Sequence, residues 1–266
     1  MLLRSAIASL SFLLPLGASA HEFWIDAADW QIAAGGKMVA DIRVGQDFAG
    51  PSFAYLSTRF RRFEVQIAGQ TLPVTGRAGD KPALNLTPTE TGLAVVTHVT
   101  TDNQLTYREW EKFQTFLAHK DWENLAEVHT ERGLPETGFR ERYSRYGKAL
   151  IAVGDGAGAD LDTGMLTEIV ALANPYVDDL AAGLPVLVTY EGAPRANAQV
   201  EVFQRAPDKS VTVDRYRTDG AGRALLPVKS GHDYLVDAVV IRALDAKDEN
   251  DPVWESLWAS LTFSVP

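Results

Sequence analysis

No cysteine occurs in the 266 residues, so no disulfide can staple the chain and no thiolate can bind a soft metal. Methionine is nearly as scarce, with three in all, one of them Met1. A sulfur-rich Cu(I) site is thereby excluded, and any metal must sit among nitrogen and oxygen donors. Positive charge is short as well: 25 Lys and Arg stand against 35 Asp and Glu, a formal charge of −10. Such a surface disfavours nucleic acid and anionic lipid. After residue 20 no run is long and apolar enough to span a bilayer. None of the five histidines falls in His-x-His or His-x-x-x-His spacing, and neither a Gly-x-Ser-x-Gly elbow nor a phosphate-binding loop occurs. Asp155, Asp160 and Asp162 lack the twelve-residue calcium-loop pattern and its closing Glu, and read as a solvated loop.

What is present begins with a leader. Residues 1–20 read as a secretory signal peptide, with Arg4 as the positive end, Ala6 to Leu16 as the apolar run and Ala18-Ser19-Ala20 as the cleavage site. The mature protein is therefore expected in the periplasm, soluble, with a net charge of −11 once Arg4 is gone. Cleavage after Ala20 leaves His21 as the first residue. Its free α-amine and imidazole Nδ1 can close a six-membered chelate ring on a metal ion. An α-amine titrates near ~8 and an imidazole near ~6.5, so both are readily freed of protons for a borderline cation.

Strands dominate the rest. Phe23 and Ile25 alternate with Glu22 and Trp24, and short alternating runs follow at Val39 to Val44 and Arg62 to Ile67. Gly92 to Thr101 is apolar on both faces, which predicts a central strand and buries His98. Thr106 and Glu109 read as a capping box ahead of a helix with Trp110, Phe113 and Leu117 inward. A second helix is predicted from Asp121 to Arg132, with Trp122, Leu125 and His129 on one stripe and Gly133 as its stop. A third is predicted over Thr137 to Tyr146, placing Phe139, Tyr143 and Tyr146 inward and Arg140, Arg142, Arg145 and Lys148 on a solvated basic face. From Leu184 the turn signals come every eight to twelve residues, the texture of a small sandwich. The expected fold is mainly β: a strand-rich, sandwich-like amino-terminal domain over residues 21–181 with a helical insertion at about 106–146, then a prealbumin-like or immunoglobulin-like β-sandwich over 184–266.

Four segments carry a family resemblance: His21-Glu22-Phe23-Trp24 after the leader, the block Phe139 to Lys148 with its Arg-Glu-x-Tyr core, Asn174-Pro175-Tyr176, and the tail Trp254 to Phe263. Together they resemble a bacterial periplasmic family, largely of unknown function, related to accessory components of nickel and cobalt uptake transporters. That resemblance implies capture of a metal ion and its delivery to a membrane transporter. Leu184 to Val240, with Thr218 to Gly222, is similar to the prealbumin-like sandwich of carboxypeptidase regulatory domains, which implies a fold and no activity.

A chelate from His21 alone leaves a divalent ion short of four donors. His98 is the first candidate partner and His129 the second, both on inward stripes; Glu141, in the family-like block, is a candidate oxygen donor, and Glu22 another. His119 and His232 read as exposed. The expected ion is Ni(II) or Co(II), with Cu(II) or Zn(II) compatible with the same donors, and nothing in the chain specifies catalysis. Two other functions fit the residues. His21 with a second imidazole is the donor set of copper enzymes of the histidine-brace type, and a sandwich with no metal would serve as a plain binding module.

Overall fold

The strand Gly92–Thr100 is buried at every position, and this double burial organises the molecule. The structure, a computed structural model, describes residues 21–266; the leader and its cleavage site lie outside the described residues. Gly92–Thr100 is an inner strand of a ten-stranded sheet. The path of that sheet runs Val211–Arg217, Gln199–Arg205, His232–Ala243, Pro252–Val265, Arg140–Val153, Gly92–Thr100, Phe60–Ile67 and Gln70–Pro73. Gln31–Ile32 and Asn103–Thr106 pair onto Arg140–Val153. Neighbours are antiparallel except where Arg140–Val153 meets Pro252–Val265 and Gln31–Ile32, which run parallel to it.

Smaller layers cover both faces of this sheet. Glu22–Ala27, Met38–Gly45, Ser52–Phe53 and Leu84–Leu86 form one four-stranded sheet. It packs Phe23, Ile25 and Ile42 against Phe63, Val96 and Ile151. Thr167–Ala171, Leu184–Tyr190, Ala193–Pro194 and Arg223–Leu226 form another on the opposite face, with Ile169 and Val186 against Val95, Val236 and Leu261. Two helices, α1 (Trp110–His119) and α2 (Asn124–Glu131), set Phe113, Leu117 and Leu125 on Ile241, Trp254 and Trp258. The protein is mainly β, as its alternating runs predict, and no helix among the described residues is long and apolar enough to cross a membrane. The boundary expected at 181–184 falls in the turn between Thr167–Ala171 and Leu184–Tyr190, while the large sheet takes strands from both sides of it.

The structure departs from the sequence reading in four places. No helix forms over Thr137 to Tyr146: the segment enters the 14-residue strand Arg140–Val153. The spacing of Phe139, Tyr143 and Tyr146 suits a helix, but Asn103–Thr106 on one side and Pro252–Val265 on the other supply strand partners, and tertiary pairing overrides local preference. The capping box is not made either, since Thr106 ends a strand and Glu109 itself takes the cap position before α1, with no side-chain cap bond. Third, the basic face is only partly solvated. Arg140 and Arg142 reach Asn250 and Glu255 near the surface, whereas Lys148 is fully buried between Asp160 (3.1 Å) and Glu168 (2.5 Å). Asp160 therefore does not belong to a solvated loop: it also accepts from the amides of Leu161 and Ala171 and pins that loop to the sheet.

Candidate ligand and metal site

On a strand, residues two apart share a face. Glu141, Tyr143 and Arg145 thus face the same way, and the next position on that face is Gly147. A Cβ at Gly147 would lie 2.5 Å from a ring carbon of Phe23, so only glycine lets the amino-terminal strand approach this closely. The three side chains line a cavity of about 620 Å³ together with His21, His98 and Trp258. Much of the remaining wall is apolar: Phe23, Ile42, Val44, Phe53, Leu56 and Phe60. Phe53 and Leu56 are 48% and 40% exposed and stand at its mouth.

His98 sits opposite Phe63 in the strand register, with the rings of Phe23, Phe60 and Phe63 centred 4.9–5.3 Å from its own. Its Nδ1 is buried without a hydrogen-bond partner. Burial in this aromatic cage pushes its pKa down to about 3, so the imidazole stays neutral with a lone pair in hand. Glu141 is also buried. Tyr107 Oη donates to its Oε2 at 2.7 Å and Ser256 Oγ donates to its Oε1. Burial raises this carboxyl to about 7, against the opposing pull of the two hydroxyls and Arg145. Arg145 lies over the Tyr143 ring at 4.8 Å. Its Nη2 donates to the His21 carbonyl at 3.4 Å, and its Nε is buried and unpartnered.

The fold therefore brings three of the four expected residues, His21, His98 and Glu141, to one cavity. It does not bring His129. That ring is completely buried beneath the helices, where Nδ1 accepts from Trp254 Nε1 at 2.9 Å and Nε2 donates to the Pro135 carbonyl at 3.0 Å. Neither nitrogen is left for a metal. Glu22 points away from the cavity, 3.5 Å from Lys120 Nζ, in a buried cluster with Glu201 and Asp237. His119 is 40% exposed and bonds Glu201 at 3.1 Å, while His232, the first residue of the strand His232–Ala243, has its Nδ1 on the Ser230 carbonyl.

Among the described residues no group of three or more His, Cys, Asp or Glu side chains forms a ready metal cluster. The donors that suit an ion here are the α-amine and imidazole of a mature His21 and the orphaned Nδ1 of His98. Glu141 is less suited, both its oxygens being already engaged. Arg145, Tyr143 and Trp258 also belong to the site. The first two go unseen when their segment is read as a helix; period-two reading of Glu141, Tyr143, Arg145 and Gly147 finds them.

A family model described as a domain of unknown function, DUF4198, matches residues 18–242. No curated protein matches the chain. Among solved structures it is similar to a tetra-tandem repeat in the extending region of a large adhesion protein, at 12% identity and a TM-score of 0.21, over 92% of this chain and 50% of that one. It is also similar to the D0-D1 domain of Intimin, at 13% identity and a TM-score of 0.21, over 91% of this chain and 97% of that one. The chain spans half the length of the adhesion-protein structure.

Proposed function

The chain belongs to the DUF4198 family, whose description carries no activity, and from its site we propose that the protein binds a divalent transition metal in the periplasm and serves in the capture and delivery of nickel or cobalt to a membrane transporter. One observation carries this reading: His21 and His98, far apart in sequence, line one cavity, and the buried Nδ1 of His98 has no partner. A neutral imidazole kept from water is a poor base and a good ligand, and an unpaired buried nitrogen costs about 1–3 kcal/mol until something satisfies it. With the chelate of His21 it gives three nitrogen donors, leaving further positions to Glu141 or water. Nitrogen donors favour Cu(II) over Ni(II) and Co(II), so the ion carried depends on supply as well as affinity.

The test compares two forms of the protein, one beginning at His21 and one with a single glycine ahead of it. Each is titrated with Ni(II), Co(II), Cu(II) and Zn(II). Tight binding that the extra residue abolishes supports the reading. Absence of binding by both forms overturns it in favour of a metal-free binding module. Oxygen-dependent turnover of a polysaccharide by the copper form would instead identify a histidine-brace enzyme.

A further inference from the structure

The cavity is far larger than an ion requires. At about 620 Å³ it lies within the range of roughly 300–1,000 Å³ typical of pockets for organic molecules, and its mouth is framed by the exposed side chains of Phe53 and Leu56. Arg145 is the unusual member of its wall. Among the described residues it forms no ion pair; its Nε is buried without a partner, its Nη2 meets the His21 carbonyl at 3.4 Å, and its other neighbour is the Tyr143 side chain. The buried lysines are treated differently: Lys120 faces Glu201, Asp237 and Glu22, and Lys148 faces Asp160 and Glu168. Glu141 shares the cavity, but its oxygens are taken by Tyr107 and Ser256. Arg59 is on the same wall and also lacks an ion pair among the described residues, but it is exposed to water, and Arg195, likewise unpaired, is not part of the wall. The Arg145 guanidinium is half-buried, with carboxylates such as Glu22 and Asp237 acting on it only from beyond contact, and an anion placed against it supplies the missing partner.

We propose that this cavity binds a small organic monocarboxylate, its carboxylate against the Arg145 guanidinium and its apolar body against Phe23, Phe60 and the residues at the mouth. A planar guanidinium matches a carboxylate with two parallel hydrogen bonds. Arg59 is also on the wall but exposed to solvent, where water already serves its charge; the apolar surround of Arg145 suits a singly charged acid with an apolar body, which inorganic phosphate lacks. The acid would lie beside His21 and His98 and complete the coordination of the metal, a role that rests on the metal reading above. Binding of the acid itself does not depend on that reading.

Calorimetric titration of the metal-free protein beginning at His21 decides the matter. Benzoate and hexanoate are the probes, benzamide and hexanamide their neutral counterparts, and inorganic phosphate the anion control. Saturable binding of at least one acid, about tenfold or more tighter than its amide, is expected, since a charge-assisted contact discriminates by that order. Arg145→Gln should lose about tenfold for the acid and nothing for the amide, Arg145→Lys should lose less, and His232→Ala, outside the cavity, should stay close to the unsubstituted protein. Equal binding of acid and amide, no saturable binding of either acid, or preference for phosphate overturns the proposal. The acid–amide comparison uses the unsubstituted protein, so it holds even if Arg145→Gln fails to fold. Metal binding without acid binding sinks this inference alone. Acid binding without metal binding sinks the metal reading alone.

Discussion

His98 and His129 are both buried imidazoles, and their neighbours separate them. His98 keeps an unpartnered Nδ1 in a cavity wall, whereas His129 uses both nitrogens to tie α2 to Trp254 and Pro135. His98→Ala is accordingly expected to weaken metal affinity about ten- to a hundredfold or more, judged from the loss of supporting groups at metal sites. His129→Ala should leave metal affinity unchanged and lower stability by about 2–3 kcal/mol in urea denaturation, because it strands a buried Trp N–H and a carbonyl. His119→Ala, at a half-exposed position, serves as the metal-neutral control. The inward stripe of each histidine was legible in the sequence. Which nitrogens remain free was not, because Trp254 reaches His129 only through a fold that joins residues 125 positions apart.

At the scale of elements, the Arg140–Val153 strand shows where local reading stops. Its aromatic residues have helical spacing, but its neighbours in the sheet come from residues 103–106 and 252–262, which local periodicity cannot see. The strands flanked by turn signals were legible, with Val39 to Val44 falling inside Met38–Gly45 and Arg62 to Ile67 inside Phe60–Ile67. Gly147 gives this strand a testable feature. Gly147→Ala drives a methyl into the Phe23 ring, and an overpacked contact of that kind is expected to cost about 1–3 kcal/mol. It should also push Phe23 toward the cavity and weaken carboxylate binding, both readable by calorimetry.

The end of α1 carries a second such feature. Lys120 is buried there with Glu22, Glu201 and Asp237. Burial alone would raise the Glu201 carboxyl, but the His119 hydrogen bond and the charge of Lys120 outweigh it and hold the group at about 2. A depressed carboxyl contributes stability that is present above its unfolded value of about 4.5 and is lost as pH falls toward about 2. Glu201→Gln should therefore cost about 3 kcal/mol at pH 7, as expected for breaking a buried ion pair. The gap from the unsubstituted protein should narrow between about pH 4.5 and pH 2. Thermal unfolding followed across that range checks the sign, and a gap that widens on acidification would contradict it.

Across the whole molecule, one sheet binds the two halves. Arg140–Val153 and Pro252–Val265 are paired over most of their length, from Arg140–Pro252 to Ala149–Thr262. The cores on either face share Gly92–Thr100, with Val96 on one side and Val95 on the other. Heating is thus expected to give a single cooperative transition by calorimetry and circular dichroism alike. Fragments 21–181 and 184–266 made separately should each lack stable tertiary structure, since each would expose an unpaired inner strand. Two resolved transitions, or a fragment that folds alone, would contradict this. The all-β texture of the second half was plain from its turns. The joint sheet was not, because a parallel pairing between distant segments leaves no mark on either one's periodicity.

The place of Pro252–Val265 in that sheet also has a consequence in time. It lies between His232–Ala243 and Arg140–Val153, and in chain order it is the last of the sheet's strands. Until its fourteen residues emerge from the ribosome, the early and late strands have no shared edge to zip. Distant pairings of this kind form slowly even in a finished chain. The segments made first therefore stay pliable until the last one is delivered, and rigidity arrives all at once.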